Sequence, residues 1–223
     1  IQGMVLPILT FPSAFLGALS GLLVPEVAES NALGHQRHIQ YIINRVIHIT
    51  LLFSVAVACI LFCYSGPLGE TIYPGRQTSQ YIRLLAPVIP IMYLDMMVDG
   101  VLKGLGLQVA SMRYNIIDAA MSLSLVWLLI PRYGIWGYCM TLYASELLNF
   151  YLSIGKLIKV TDVRLGFWRS FIGPTVSARI TGLLLGPIAV AFASDGTTNL
   201  VVAIIASLAL YLLLLLATGC LGR

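Results

Sequence analysis

The sequence predicts an all-α, polytopic membrane protein of about seven helices, and three observations carry that expectation. Charged residues make up 10% of the 223 positions and apolar residues 59%, with a mean hydropathy of +0.92; an ordinary soluble domain is about 25% charged. A water-facing surface on a chain of this size needs more charge than that. Second, apolar runs recur at the length needed to cross a hydrocarbon core of about 30 Å, roughly 20 helical residues each. Third, runs such as VVAIIASLALYLLLLLAT do not alternate, whereas transmembrane β-strands alternate over segments of about ten residues. In lipid every backbone group needs an internal partner, which favours helix.

Seven runs qualify, at about 3–25, 42–64, 81–102, 109–130, 134–157, 168–192 and 200–218. The first carries no charge before Glu26, and Pro25 is expected to mark its exit, with Glu26 and Glu29 where water returns. The chain opens at Ile1 inside this run without a basic leader, so it is expected to be a piece of a longer protein. The connections GHQRHIQ, GPLGETIYPGRQTSQ and SDGTTN are polar and turn-rich, as loops should be. Pro7 and Pro12 in the first run, Pro87 and Pro90 in the third, and Pro174 and Pro187 in the sixth each remove a backbone bond and predict bends. Small pairs at Gly17 and Gly21, Gly100 and Gly104, and Gly182 and Gly186 predict close helix packing.

Lys and Arg set orientation. With the first loop inside, nine of these residues fall inside and three outside, and Arg179 is left within the sixth run. The expected topology is a multi-pass bacterial plasma-membrane protein with a cytoplasmic C-terminus.

Ionisable groups at membrane depth are costly and face a cavity or a partner. Glu146 in the fifth run and Arg179 in the sixth lie at similar depth, so an ion pair or shared wet cavity is expected there, with Asn149 nearby. Asp95, Asp99 and Lys103 follow one another at i,i+4 on the third run, and Arg113 and Asp118 open the fourth. Asp99 and Lys103 should pair on one helix face. This second group, nearer the inner side, is a candidate polar gate. Cys59, Cys63, Cys139 and Cys220 read as small membrane-core residues with no His or second cysteine pair to complete a metal site, and His35, His38 and His48 lie in or beside the first inner loop, where a His-x-x-His pair is weak evidence for a metal. Gly104-Leu105-Gly106 lacks the spacing of a phosphate loop. No nucleophile–base set shares a depth, and no cofactor, metal or nucleic-acid site is expected.

A family resemblance enters at this point. Pro12-Ser13-Ala14, Ala18-Leu19, Leu23-Val24-Pro25 and Ala28-Glu29 resemble the helix that opens the C-terminal lobe of the multidrug/oligosaccharidyl-lipid/polysaccharide exporters. Val101 to Gly106, Ser111-Met112-Arg113-Tyr114-Asn115 and Pro131 to Tyr138 are similar to the polysaccharide-biosynthesis branch, its sporulation members in particular. The likeness covers about 12–161. It implies a C-terminal lobe whose five-helix core is 1–160, with 161–223 adding two further helices. It implies alternating-access movement of a lipid-linked oligosaccharide or cell-wall (peptidoglycan) precursor, with bilayer lipids and the earlier lobe of the same transporter as partners. A cation-coupled multidrug antiporter of the same superfamily is the alternative. A membrane-embedded transferase or a non-transporting scaffold would be a different class; the first needs catalytic His or Asp at one depth.

Overall fold

A computed structural model of the chain describes residues 7–72 and 78–161, together with 202, 204–209, 211 and 213. The sixth expected span, with Arg179, Pro174, Pro187, Gly182 and Gly186, lies outside the described residues, as do SDGTTN and much of the seventh span. Among the described residues every regular element is helical. They are α1 (Ser13–Ala32), α2 (Gln36–Cys63), α3 (Ser65–Ile72), α4 (Thr78–Leu85), a 3-10 turn (Ala86–Val88), α5 (Ile89–Gly104), α6 (Gln108–Tyr133) and α7 (Ile135–Thr161). Gln36–Cys63, Thr78–Gly104 and Gln108–Tyr133 are each long and apolar enough to cross a membrane. The chain is an all-helical membrane protein of several spans.

The sequence reading needs correction at three places. Pro25 does not end the first helix, because α1 runs through it to Ala32. One lost backbone bond is offset where the extension packs: Val27 is fully buried, and the Asn31 amide donates to the Leu105 carbonyl at 3.5 Å. The polar stretch GHQRHIQ is mostly the opening of α2, and the true connection is a turn at Gly34. The presumed loop after Tyr64 contains a helix, α3, whose Pro67 sits in the first turn, where a missing N–H goes unfelt. Two of the expected bends are present: residues 7–10 form a helical turn interrupted at Phe11 and Pro12, and Pro87 lies in the 3-10 turn that separates α4 from α5, while Pro90 sits in the first turn of α5 without a break of its own.

Two helix ends close in the same way. At Gly34, φ is 70°, the Gly34 N–H donates to Asn31 O at 3.1 Å and His35 N–H to Ser30 O at 3.0 Å. At Gly106, φ is 76°, the Gly106 N–H donates to Lys103 O at 3.0 Å and Leu107 N–H to Leu102 O at 2.9 Å. This paired pattern satisfies the last carbonyls and wants a left-handed residue, hence glycine.

The fold divides into two compact units. One holds Ala14–Thr50 and the described residues from Ile91 to Thr161. In it α5 lies close on α1 through glycines: a Cβ at Gly104 would come within 2.8 Å of the Val27 side chain and 2.9 Å of the Val24 carbonyl, and one at Gly100 would overlap Ser20. Small residues bring helices together in this way. The Gln40 amide ties the start of α2 to the Thr161 carbonyl at 2.9 Å. The other unit holds residues 51–72, 78–90 and the described residues beyond 200, with the turn at 7–13. There Tyr64 and Ser207 share a 2.6 Å hydroxyl hydrogen bond and Tyr211 donates to the Leu52 carbonyl at 3.1 Å. Cys59 packs against the cluster of Val55, Ala56 and Tyr211, and Cys63 against Tyr64; among the described residues Cys59, Cys63 and Cys139 form no disulfide.

Candidate functional site

The helical hairpin of α6, which is apolar enough to cross a membrane, and α7 carries an unusual set of polar residues. On α6, Ser111, Asn115, Asp118 and Ser122 recur at spacings of four, three and four, which places them in one row. On α7, Ser145, Asn149 and Ser153 recur every four, with Glu146 beside the first. Polar side chains in such surroundings need partners, since an unpaired one carries the full desolvation cost.

Two connected hydrogen-bonded groups result. In one, Ser122 Oγ donates to Ser145 Oγ at 2.9 Å, and Ser145 Oγ donates to Asp118 Oδ1 at 2.5 Å. In the other, Asn149 Nδ2 donates to Asp95 Oδ2 at 2.8 Å and to Asn115 Oδ1 at 3.4 Å, and Ser153 also hydrogen-bonds Asp95. Asp95 is supplied by α5 and is 9% exposed. Two buried oxygens, Asp95 Oδ1 and Asn149 Oδ1, make no hydrogen bond. Glu146 stands within electrostatic reach of both Asp95 and Asp118. Three carboxyl groups from three helices therefore share one polar seam, and among the described residues no ion pair engages any of them.

At the end of α5, Lys103 Nζ lies 2.6 Å from Asp99 Oδ2, the i,i+4 pair that the spacing predicted. Asp99 also accepts from Ser111 Oγ at the start of α6. Lys103 is half exposed, so this pair is solvated on one side. Arg113 is exposed on α6 and makes no ion pair among the described residues.

Sequence reasoning placed Glu146 and Asn149 in one group and Asp95 with Asp118 in another. The fold brings these four together, because α5, α6 and α7 present them to one another side by side. Arg179, the expected partner of Glu146, lies outside the described residues. Sequence reasoning passed over Ser111, Ser122, Ser145 and Ser153. Their four-residue spacing was the available signal, but a serine in a membrane helix raises no alarm by itself, since its hydroxyl often bonds the backbone one turn back, as Ser124 does to the Ala120 carbonyl at 2.8 Å. The described residues contain no grouping of three or more His, Cys, Asp or Glu able to hold a metal ion.

Comparison with known proteins gives this arrangement a setting. The MatE family profile matches residues 3–129, more than half of the chain. The chain is 26% identical over 220 residues to Stage V sporulation protein B of Bacillus subtilis (strain 168), an alignment covering 97% of the chain and 42% of that relative. It is 22% identical over 129 residues to Sporulation protein YkvU of the same organism, covering 58% of the chain and 29% of the relative. The chain thus spans less than half the length of each. No solved structure matches it significantly. With the helical, multi-span architecture and a family profile over most of the described helices, the chain belongs to the MatE family of the multidrug/oligosaccharidyl-lipid/polysaccharide exporter superfamily.

Proposed function

We propose that this chain is the C-terminal lobe of a two-lobe membrane transporter that moves a lipid-linked oligosaccharide or cell-wall precursor across the bacterial plasma membrane by alternating access. Residues 1–160 supply its five-helix core and 161–223 two further helices. The excess of Lys and Arg on one side orients it with a cytoplasmic C-terminus. The earlier lobe of the same transporter is its partner, and no bond is made or broken.

The observation that carries this reading is the polar seam of Asp95, Asn115, Asp118, Ser145, Glu146 and Asn149 within an apolar helical unit of the MatE family. A phosphate-linked sugar headgroup does not cross hydrocarbon, because its charges would lose their water. A transporter need only offer a polar, hydrated path between helices and expose it to each face in turn. Asp95, Asp118, Glu146 and Asn149 form a wall of that path, and Asp99, Lys103 and Arg113 a polar gate at its end; Arg179, outside the described residues, is a further candidate for the path. The relatives' names link the reading to sporulation.

The test uses the whole transporter in proteoliposomes with a fluorescent lipid-linked sugar and a membrane-impermeant quencher. The expected result is time-dependent loss of quencher access, slowed about tenfold or more in the Asp95→Ala/Asn149→Ala variant. Absence of headgroup movement by a well-folded transporter overturns the proposal.

A second reading, a cation-coupled multidrug antiporter, is favoured by one observation: three carboxyl groups gather in the seam without an ion pair among the described residues. Charge at that depth is answered by a cation, a proton or water. Dye efflux driven by a Na⁺ or H⁺ gradient, with no lipid movement, would select it.

A further inference from the structure

Away from the seam, the parts of α1, α2 and α5 that lie in the unit of Ala14–Thr50 and the residues from Ile91 line a crevice of about 270 Å³. Its wall is apolar, with Leu19, Leu23, Val46 and Met97 along it. Its rim is not: Glu26 on α1 stands across from His38, Tyr41 and Arg45 on α2. We propose that this crevice binds a bilayer phospholipid with a phosphate-and-amine headgroup, of the phosphatidylethanolamine kind, seating part of one acyl chain in the slot, its phosphate on Arg45 and its ammonium on Glu26.

Position is the first argument. From Val46 to Cys63, eighteen residues of α2 carry no Lys, Arg, Asp or Glu. At 1.5 Å each they rise about 27 Å, close to a hydrocarbon core. Arg45 is the last charge before that stretch, so the rim lies at the membrane–water boundary and the wall just inside it. Ile49, on the wall, is 44% exposed, as a slot open sideways to lipid requires.

Charge is the second. Arg45 is held at the rim by a 2.9 Å hydrogen bond from Nη1 to the Tyr41 hydroxyl, with its guanidinium 5.9 Å from the Tyr41 ring centre; the His38 ring stacks near the same tyrosine, ring centres 6.5 Å apart. One of five N–H donors is used there, which leaves the fork able to meet a phosphate. Glu26 and Arg45 make no ion pair with each other. Two opposite charges, neither in an ion pair among the described residues, across the mouth of an apolar slot match a headgroup that carries both signs. An anionic lipid would satisfy Arg45 but meet Glu26 unfavourably.

Size is the third. The cavity falls just under the range of about 300–1,000 Å³ typical of small-molecule sites. It accommodates a segment of one chain, with the rest of the lipid in the bilayer, and is too small for a glycan headgroup.

The experiment is native mass spectrometry of the whole transporter after exchange into vesicles of phosphatidylethanolamine, phosphatidylglycerol or phosphatidylcholine. Wild-type protein should retain phosphatidylethanolamine several-fold over the other two. Arg45→Gln should lower retention of phosphatidylethanolamine and phosphatidylglycerol about five- to tenfold. Glu26→Gln should leave phosphatidylglycerol unchanged or raised and abolish the preference. Leu23→Trp, which fills the slot, should lower retention of all three. Both charge changes are at exposed positions and leave the helices intact, so a thermal melt matching wild type qualifies them. Equal retention of the three lipids, or retention unaffected by Arg45→Gln, overturns the proposal. So does full competition by soluble glycerophosphoethanolamine, which would make this a headgroup site, or cross-linking of Leu23→Cys to the rest of the transporter, which would make it an interface.

Discussion

Helices α5 and α6 are neighbours in sequence, separated by a turn at Gly106, and each belongs to a segment long and apolar enough to cross a membrane. Their surroundings differ completely. Of the most apolar stretch of Thr78–Gly104, 56% is buried inside the protein, while 0% of the corresponding stretch of Gln108–Tyr133 is. Along α5, Tyr93, Leu102 and Val98 are buried and Gly100 and Gly104 meet α1; along α6, Met112, Ile116, Leu123 and Trp127 are more than 60% exposed. Apolar composition reports that a helix avoids water. It does not report whether protein or lipid replaces the water, because the two are about equally apolar. Inside the membrane, small residues and polar side chains mark the face turned to other helices: α6 turns its row of Asn115, Asp118 and Ser122 toward α7, and Gly137 of α7 lets it approach the α6 backbone at Leu129.

That contrast can be broken experimentally. The largest effect is expected at the buried helix: Leu102→Ala removes a side chain with 0% exposure and should cost about 2–5 kcal/mol through lost contacts and a cavity, read as a large fall in the melting temperature in detergent. Next, Gly104→Leu forces α1 from α5 and should cost about 1–3 kcal/mol, whereas Gly21→Ala, whose Cβ would meet nothing within 4 Å, should leave the melt nearly unchanged. Helix propensity alone would make both changes mildly stabilising, so a gain at Gly104 as large as that at Gly21 would mean that close approach does not govern the glycines.

Asp95→Ala tests the polar join between the two helices. It leaves the Asn149 amide without its 2.8 Å acceptor and should cost about 1–3 kcal/mol, with Asp95→Asn recovering much of it. A smaller effect is expected for Lys103→Met, since a half-exposed i,i+4 pair contributes at most about 1 kcal/mol, and raising the salt should erase it. Smallest of all, Ile116→Ala, at a position 64% exposed, should change the melt by less than about 0.5 kcal/mol. A loss there as large as that of Leu102→Ala would show that the outward face of α6 is covered by protein in the whole transporter, and would identify it as an interface.

Several features were legible before any coordinates. Pro87 marks a break because its ring and missing N–H act locally, whatever surrounds them. Asp99 and Lys103 pair because i,i+4 geometry is a property of one helix. Gly100 and Gly104 announce a close neighbour, though not which one. Pro25 misled because its local penalty is a single backbone bond, which the burial of Val27 and the Asn31 hydrogen bond outweigh. The polar stretch after Gly34 misled because polarity there reports exposure at the end of a long helix rather than the lack of one.

The sequence by itself determined that this protein lives in a membrane as helices, roughly where most of the described ones begin and end, and which residues are costly at that depth. These follow from hydropathy and chain geometry, which act over a few turns of one helix. Only the tertiary structure decided that Asp95, Asp118, Glu146 and Asn149 meet, that α5 is enclosed while α6 faces outward, and that Glu26 and Arg45 stand across one apolar slot. Those outcomes depend on which helix faces touch, and contacts between residues far apart in sequence, such as Asp95 with Asn149, are fixed by packing and hydrogen-bond satisfaction across helices rather than by anything within one of them.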